Sequence, residues 1–494
     1  MTAATVAMNR KPLFAAETLD TSPRIRISLP EAHRGTPEID MNLLNSYAEQ
    51  PENVQAFFAK ARAMFGADPH ARFSADGTLA TAAEKHDIPC LGGPMLGDVA
   101  HDRASLWLRT VRPAQVAVKV RSLTGSKVFG PVASTEESDL SVVIPLTGLE
   151  PSTRYQYEIA IDGKPLEIGS SASFVTMPVP GRGDTCRIAF GGDFHKVGVH
   201  NPHLMKQIVA RSPRAMLLTG DLAVDDRNNL TGLHRSDYLL RDLSPAWQTL
   251  ARTTPIYATW DDHDYFDNDK CGIPRGHTIE DVLAVRKIWD QNWVNPPADE
   301  DREGIYFHTR LGPADLIMLD TRSLRKPERN SSNAYLGDTQ MAWLKQELLK
   351  CKGPFTIISS GTMWSDYISN GKDSWGVYDT AGREELFTFI EENKIPGVLL
   401  ICCDRHGSRG FRIPRPSGYN FHEFEIGTLG GMTGPGASGK DSSTQLFGRT
   451  AIKAFGEFEF DTTRDDPQVT FRLIDEKGTV LEQIKLSQSE LTPG

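Results

Sequence analysis

The sequence predicts an α/β core carried behind a small β-sandwich. Two patterns point to it. Between Gly92 and about Met177 apolar and polar residues alternate at a period of two, as half-buried strands require. From Thr185 onward, short apolar runs alternate with helical stretches, the pattern of an α/β core. A third observation concerns chemistry. Four of those apolar runs lead directly into Asp, or into Asp with His.

Residues 1–88 read as a partly helical N-terminal extension. The chain opens Met1-Thr-Ala-Ala-Thr-Val-Ala-Met-Asn-Arg10 with no apolar h-region, so no secretory signal is expected. The expected location is cytoplasmic as written, or periplasmic or secreted if a signal was removed. Residues up to about Gly35 look weakly structured. Thr36-Pro37-Glu38 reads as a helix start, with a cap, Pro in the first turn and an acid near the dipole. Val54, Phe57, Phe58, Ala61, Met64 and Phe65 then follow helical spacing. That face is expected to pack on the body of the protein; a dimer contact or a cover over a site is the functional alternative.

Residues 89–178 are expected to form a fibronectin- or immunoglobulin-like β-sandwich. Val116, Val118 and Val120 alternate with Ala117, Lys119 and Arg121, and Tyr155, Tyr157, Ile159 and Ile161 do likewise before the Asp162-Gly163 turn. Leu149 to Tyr155 resembles the tyrosine corner of such sandwiches. Pro178 to Gly183 is the linker out of it.

Residues 184–494 make up the α/β region, including C-terminal strands over 457–461, 468–474 and 479–486 that should complete a core sheet. Helices are expected over 201–212, 238–251, 278–293, 339–351 and 381–393. The net charge of −10 argues against a nucleic-acid binder, and no run of about 18 apolar residues suggests a membrane span. The six cysteines show no CxxC spacing and read as reduced, buried residues; a metal role for Cys402 or Cys403 is the lesser reading.

The chemistry sits at the strand ends. Asp193 and His195 follow Ile188-Ala-Phe190, and Asp221 follows Ala215 to Gly220. Asp261, Asp262, His263 and Asp264 follow Ile256-Tyr-Ala258, and Asp404 and His406 follow Val398 to Cys403. Each motif alone has a bland reading as a solvated loop or a helix cap. Together, adjacent carboxylates at four strand ends repel unless cations compensate, so they read as one composite metal site.

The series from Gly191 to His195, from Thr219 to Asp226, from Trp260 to Asp264 and from Cys403 to His406 resembles the calcineurin-like metallophosphoesterase superfamily. Within it the chain is similar to the PhoD-type alkaline phosphatases and phosphodiesterases. Supporting segments are Leu319 to Arg325, Leu336 to Trp343, Ser359 to Trp364, Asp373 to Tyr378 and His422 to Glu425. The resemblance covers roughly residues 90–485. It implies a four-layer αββα sandwich and a site for two or more cations. Asp193, His195, Asp221 and His406 would hold one ion, with Asp221 as the bridge and Asp262 and Asp404 serving the second. His263 would be the general acid or would steady the transferring phosphoryl group. The family's iron sites place Tyr three residues after the bridging Asp; here Val224 stands there, which argues against an iron–tyrosinate centre. No His follows Phe355 to Ser359, so the second site is rich in oxygen and suits Ca, Mg or Mn, while the His-bearing first site suits Mn, Fe or Zn.

The implied activity is hydrolysis of a small phosphoester or phospholipid by water activated between the metals. A dedicated, phospholipase D-like phosphodiesterase and a catalytically weak binding scaffold of the same fold are the alternatives. Arg322 and Arg325 are expected either to touch substrate phosphate or to form core salt bridges. Trp364, Trp375 and Tyr378 are expected either to wall the pocket or to pack. The loop Gly427 to Gly436 either borders the cleft or is a plain surface loop. Homo-oligomer formation is left open by the sequence.

Overall fold

Runs such as Val398-Leu-Leu-Ile-Cys402 are apolar on both faces, which suits strands covered from both sides. The structure is a computed structural model and describes residues 20–75, 77–169, 172–297, 302–368, 373–439 and 443–494. Two sheets form the core. The first has six strands in the order Ile256–Ala258, Ala215–Leu218, Thr185–Gly191, Ala454–Asp461, Gln468–Asp475, Val480–Ser487. The second has seven, in the order Phe307–Leu311, Ala314–Met318, Phe355–Ser359, Val398–Cys402, Asn420–Ile426, Gly407–Pro414, Gln445–Thr450. The strands that lead into the Asp and His motifs pair in parallel within each sheet. Their C-terminal ends therefore share an edge, where ligands gather in open α/β sheets.

The sheets face each other. Phe190, Leu217, Phe458 and Phe471 of the first meet Leu316, Ile357, Ile401 and Phe424 of the second in one buried cluster. On the outer face of the first sheet, Ala189, Met216 and Ala258 pack against Leu204, Leu250 and Ile288 from helices. On the outer face of the second, Ile317, Ile358 and Leu400 pack against Leu344, Leu386 and Ile390. The result is the expected four-layer αββα sandwich. The C-terminal strands are integral to it: Ala454–Asp461 pairs with Thr185–Gly191 on one side and Gln468–Asp475 on the other.

The alternating segment before the core forms two sheets. One holds Gly92–Gly97, Arg103–Arg109 and Ser141–Thr147; the other holds Ser126–Ser134, Ala114–Arg121, Arg154–Ile161 and Lys164–Leu166. They share a core that includes Leu106, Val118, Ile144, Tyr157 and Phe174. Asp162 and Gly163 turn the chain with φ of 49° and 75°, the two positive values a tight hairpin needs. Tyr155 Oη accepts the Glu150 N–H at 2.8 Å, the contact a tyrosine corner makes.

Two expectations are corrected. The helix expected over 238–251 is two helices, Thr231–Asp242 and Pro245–Ala251. Pro245 cannot donate into the preceding turn, and Ser244 adopts an extended conformation and caps the new helix through the Trp247 N–H at 3.4 Å. The segment expected to be weakly structured up to Gly35 contains the helix Leu29–Arg34, followed by Pro37–Leu44; residues 1–19 lie outside the described residues. A six-residue helix carries too little periodicity to announce itself, and tertiary contacts hold it. The longer helix Glu52–Ala67 packs as expected, with Phe57, Phe58 and Phe65 against Leu239 and Leu240. Among the described residues all six cysteines are free, and no helix is long and apolar enough to cross a membrane.

Candidate metal centre

Each Asp or His motif occupies a loop just past a parallel strand, and five of its residues share an uncommon backbone. Asp193, His195, Asp221, Asp404 and His406 have φ of 55°, 46°, 54°, 78° and 46°. A non-glycine residue in that region costs on the order of 1–3 kcal/mol and persists only where its surroundings dictate it. Gly220, at φ 132°, lets the strand ends meet, because a Cβ there would lie 2.6 Å from the Asp261 Cβ. Asp262 opens the short helix Asp262–Tyr265, so its carboxylate is fixed by the first turn.

The side chains converge. Donor atoms of His195, Asp221 and His406 all lie within 4.8 Å of one another, and so do those of Asp221, Asp262 and His263. Asp221 belongs to both groups. His195 Nε2, Asp221 Oδ1, Asp262 Oδ1 and Asp404 Oδ2 are buried and lack any hydrogen-bond partner. A buried polar atom left unpaired costs roughly 1–3 kcal/mol, and more when charged. Four at one sheet edge are therefore expensive unless cations complete them.

The electrostatics agree. Burial, reinforced by Asp262, Asp261 and Asp193, raises the Asp221 carboxyl well above the usual range. Burial, then Asp373, Asp261 and Asp262, does the same to Asp404. Burial, aided by His195 and His263, lowers His406 to about 4, leaving the neutral imidazole that ligates metals. Oxygen and imidazole donors thus fit hard or borderline cations.

Around these donors lies a supporting shell. His195 Nδ1 sits 2.8 Å from Asp225 Oδ1, which turns Nε2 toward the other donors. Asp262 Oδ2 accepts the Asp269 N–H at 2.6 Å. Asp193 accepts two backbone N–H groups, from Asp404 and His406, each at 3.0 Å, and so ties two of the loops together. The Gly427 to Gly436 loop borders the site: the Gly430 N–H donates to the Asp193 carbonyl at 2.8 Å. His263 Nδ1 lies 2.6 Å from Asp226 Oδ1. Burial opposes charge on His263, but Asp262, Asp221 and Asp226 outweigh it and raise its pKa well above the usual value.

The residues expected either to bind substrate or to pack are buried beside the site. Arg322 is fully buried, with Nε and Nη2 donating to Asp261 at 2.6 and 2.9 Å and Nη1 to Asp373 at 2.9 Å. Arg325 Nη1 donates to Asp373 at 2.6 Å. Both are core ion pairs beneath the site, because three flanking carboxylates claim them. Trp364 and Trp375 stack at 4.6 Å between ring centroids in the core outside the second sheet, and both are fully buried. Tyr378 joins that cluster and donates its hydroxyl to the Lys326 carbonyl at 2.7 Å. All three are buried and packed against that cluster. Cys402 and Cys403 are buried too, and burial first, then nearby carboxylates, raises both thiols; Cys403 Sγ lies 3.1 Å from the Gly361 carbonyl oxygen.

Asp225, Asp226 and Asp373 lie within the motifs read from the sequence but carry no assigned role there, and His33 escaped that reading altogether. The acid pair of Asp225 and Asp226 is a visible signal, though its roles are not. His33 lies about 160 residues upstream of the first motif, in a stretch without pattern, and no local signal marks it.

Two family models match the chain. One, described as PhoD-like phosphatase, matches residues 224–490; the other, a domain of unknown function, matches residues 89–177. The sequence matches no curated protein. Among solved structures, one described as the structure of PhoD is similar with a TM-score of 0.61 at 17% identity, covering 81% of this chain and 92% of that one. A purple acid phosphatase from yellow lupin (Lupinus luteus) seeds is similar with a TM-score of 0.58 at 14% identity, covering 80% of this chain and 74% of that one. At such identities the two structures speak to the fold, while the family model spans more than half of this sequence. The chain belongs to the PhoD-like phosphatase family.

Proposed function

We propose that this chain hydrolyses small phosphoric esters with two cations held at the shared sheet edge. The observation that carries this reading is the set of four buried donor atoms on His195, Asp221, Asp262 and Asp404 that have no hydrogen-bond partner. Asp193, His195, Asp221 and His406 would hold the first cation, with Asp221 shared and Asp262 and Asp404 holding the second. Bound there, the cations supply an activated water and a sink for charge on the phosphoryl oxygens. Asp225 keeps His195 Nε2 free for ligation. His263, oriented by Asp226 2.6 Å from its Nδ1, would give the proton on its other ring nitrogen to the departing alkoxide.

The test combines metal content with a screen of phosphate mono- and diesters. Elemental analysis should find two ions, chelation should abolish hydrolysis, and Mn²⁺ or Ca²⁺ should restore part of it. Asp221→Ala should be the most damaging ligand change, because it removes the shared donor. His263→Ala should keep its metals and lose roughly 10²–10⁴-fold on alkyl esters, with a smaller loss on nitrophenyl esters, whose leaving group needs no proton. A metal-free sample with full activity would overturn the proposal.

A further inference from the structure

We infer that His33, from the N-terminal extension, is a positioning residue that holds the proton donor in place through Asp226; this rests on the reading of His263 given above. Asp226 faces two imidazoles with its two oxygens. Oδ1 lies 2.6 Å from His263 Nδ1, and Oδ2 lies 3.2 Å from His33 Nδ1. The His33 and His263 rings stand 4.5 Å apart between centroids, tilted by 36°. Asp226 is itself partly exposed, at 19% of its side chain, and has φ of 55°. With only His263 beside it, an exposed carboxylate of that kind could rotate. With His33 Nδ1 3.2 Å from its other oxygen, Asp226 has less room to turn away from His263.

The extension is built to keep His33 there. Glu31 accepts from the Ser28 N–H at 2.8 Å, which starts the helix. Gly35 ends it at φ 52°, where a Cβ would run into the Arg227 guanidinium. Arg62 donates to the Gly35 carbonyl at 2.6 Å and to Asp40 at 2.7 Å. Asp40, fully buried, also accepts from Lys196 at 3.1 Å. Lys196 directly follows His195. The extension is thus bonded to the loop that carries a proposed ligand. His33 lies outside both regions matched by family models, yet it reaches within 5.3 Å of the His195 ring centroid.

His33→Ala should keep both metals by elemental analysis and keep its melting temperature close to the parent. Hydrolysis of an alkyl phosphate should fall by about 10- to 100-fold, the scale of a misplaced reacting group, while that of a nitrophenyl phosphate falls clearly less. In the His263→Ala background the same change should add nothing, because its effect runs through His263. The downfield proton resonance of the His263 Nδ1–H, identified by its loss in His263→Ala, should shift or broaden in His33→Ala. If His33→Ala proves unstable, His33→Gln, which keeps a donor near Asp226, serves in its place and should retain most of the alkyl activity. Equal losses on both esters, losses that multiply in the double variant, or loss of metal would overturn the inference. If His263→Ala itself shows no preference between the esters, the proton-donor reading falls and this inference falls with it.

Discussion

His195 turns its Nδ1 to Asp225 at 2.8 Å and thereby aims Nε2 at Asp221, whose Oδ2 lies 3.8 Å away. A carboxylate that orders an imidazole in this way fixes its tautomer and raises its basicity toward a cation. Asp225→Ala should therefore weaken metal binding by about 10- to 100-fold without removing a ligand. Titrating the metal-free protein with Mn²⁺ by calorimetry measures this. Unchanged affinity would show that Asp225 only neutralises the Lys196 region.

Arg322 joins Asp261, Asp262 and Asp373 in a fully buried cluster. Removing one member of a buried ion pair strands the others, at roughly 3–5 kcal/mol. Arg322→Met should lower the stability of the metal-free protein by that amount in a denaturant titration. A variant of parental stability whose only defect is a higher KM would instead make Arg322 a substrate contact.

Phe458 and Phe460 belong to a strand inside the first sheet, and Val469, Phe471 and Leu473 to its neighbour. Deleting residues 457–494 leaves Thr185–Gly191 as a bare edge and opens the core between the sheets. The truncated protein should be insoluble or melt far below the parent. Soluble product with unchanged melting and activity would make these strands an appendage.

His308 sits between Glu347, 2.8 Å from Nδ1, and Asp315, 3.5 Å from Nε2, away from the metal centre. Burial would lower its pKa, but contacts with Asp315, Cys351 and Glu347 push it up to about 10. A folded pKa above the unfolded value of about 6.5 means the stabilisation is complete below about 6.5. It is lost as pH rises through about 10. His308→Gln should thus be less stable than the parent by roughly 1–3 kcal/mol near pH 6, with the gap shrinking toward zero at strongly alkaline pH. Urea titrations at both ends of that range decide it, and a constant gap would mean that packing alone is at stake.

Period-two alternation, apolar runs and the Asp162-Gly163 turn are local properties, so the layers, the sandwich strands and the closing strands were legible in the sequence alone. So were the strand-end motifs of Asp193, His195, Asp221, Asp262, His263, Asp404 and His406, because adjacent carboxylates repel wherever the chain goes. What the motifs could not tell was which neighbour each polar group would find. A guanidinium reads the same in sequence whether it meets a phosphate or a carboxylate; only the fold set Arg322 against Asp261 and Asp373. Trp364 and Trp375 fill either a pocket wall or a core, and the second sheet and its helices enclosed them. His33 shows the limit most clearly. Its helix is too short to be stable by its own propensity, and its partners Asp226 and His263 lie about 190 and 230 residues away along the chain. Its place follows from long-range packing and buried ion pairs, which no local pattern encodes.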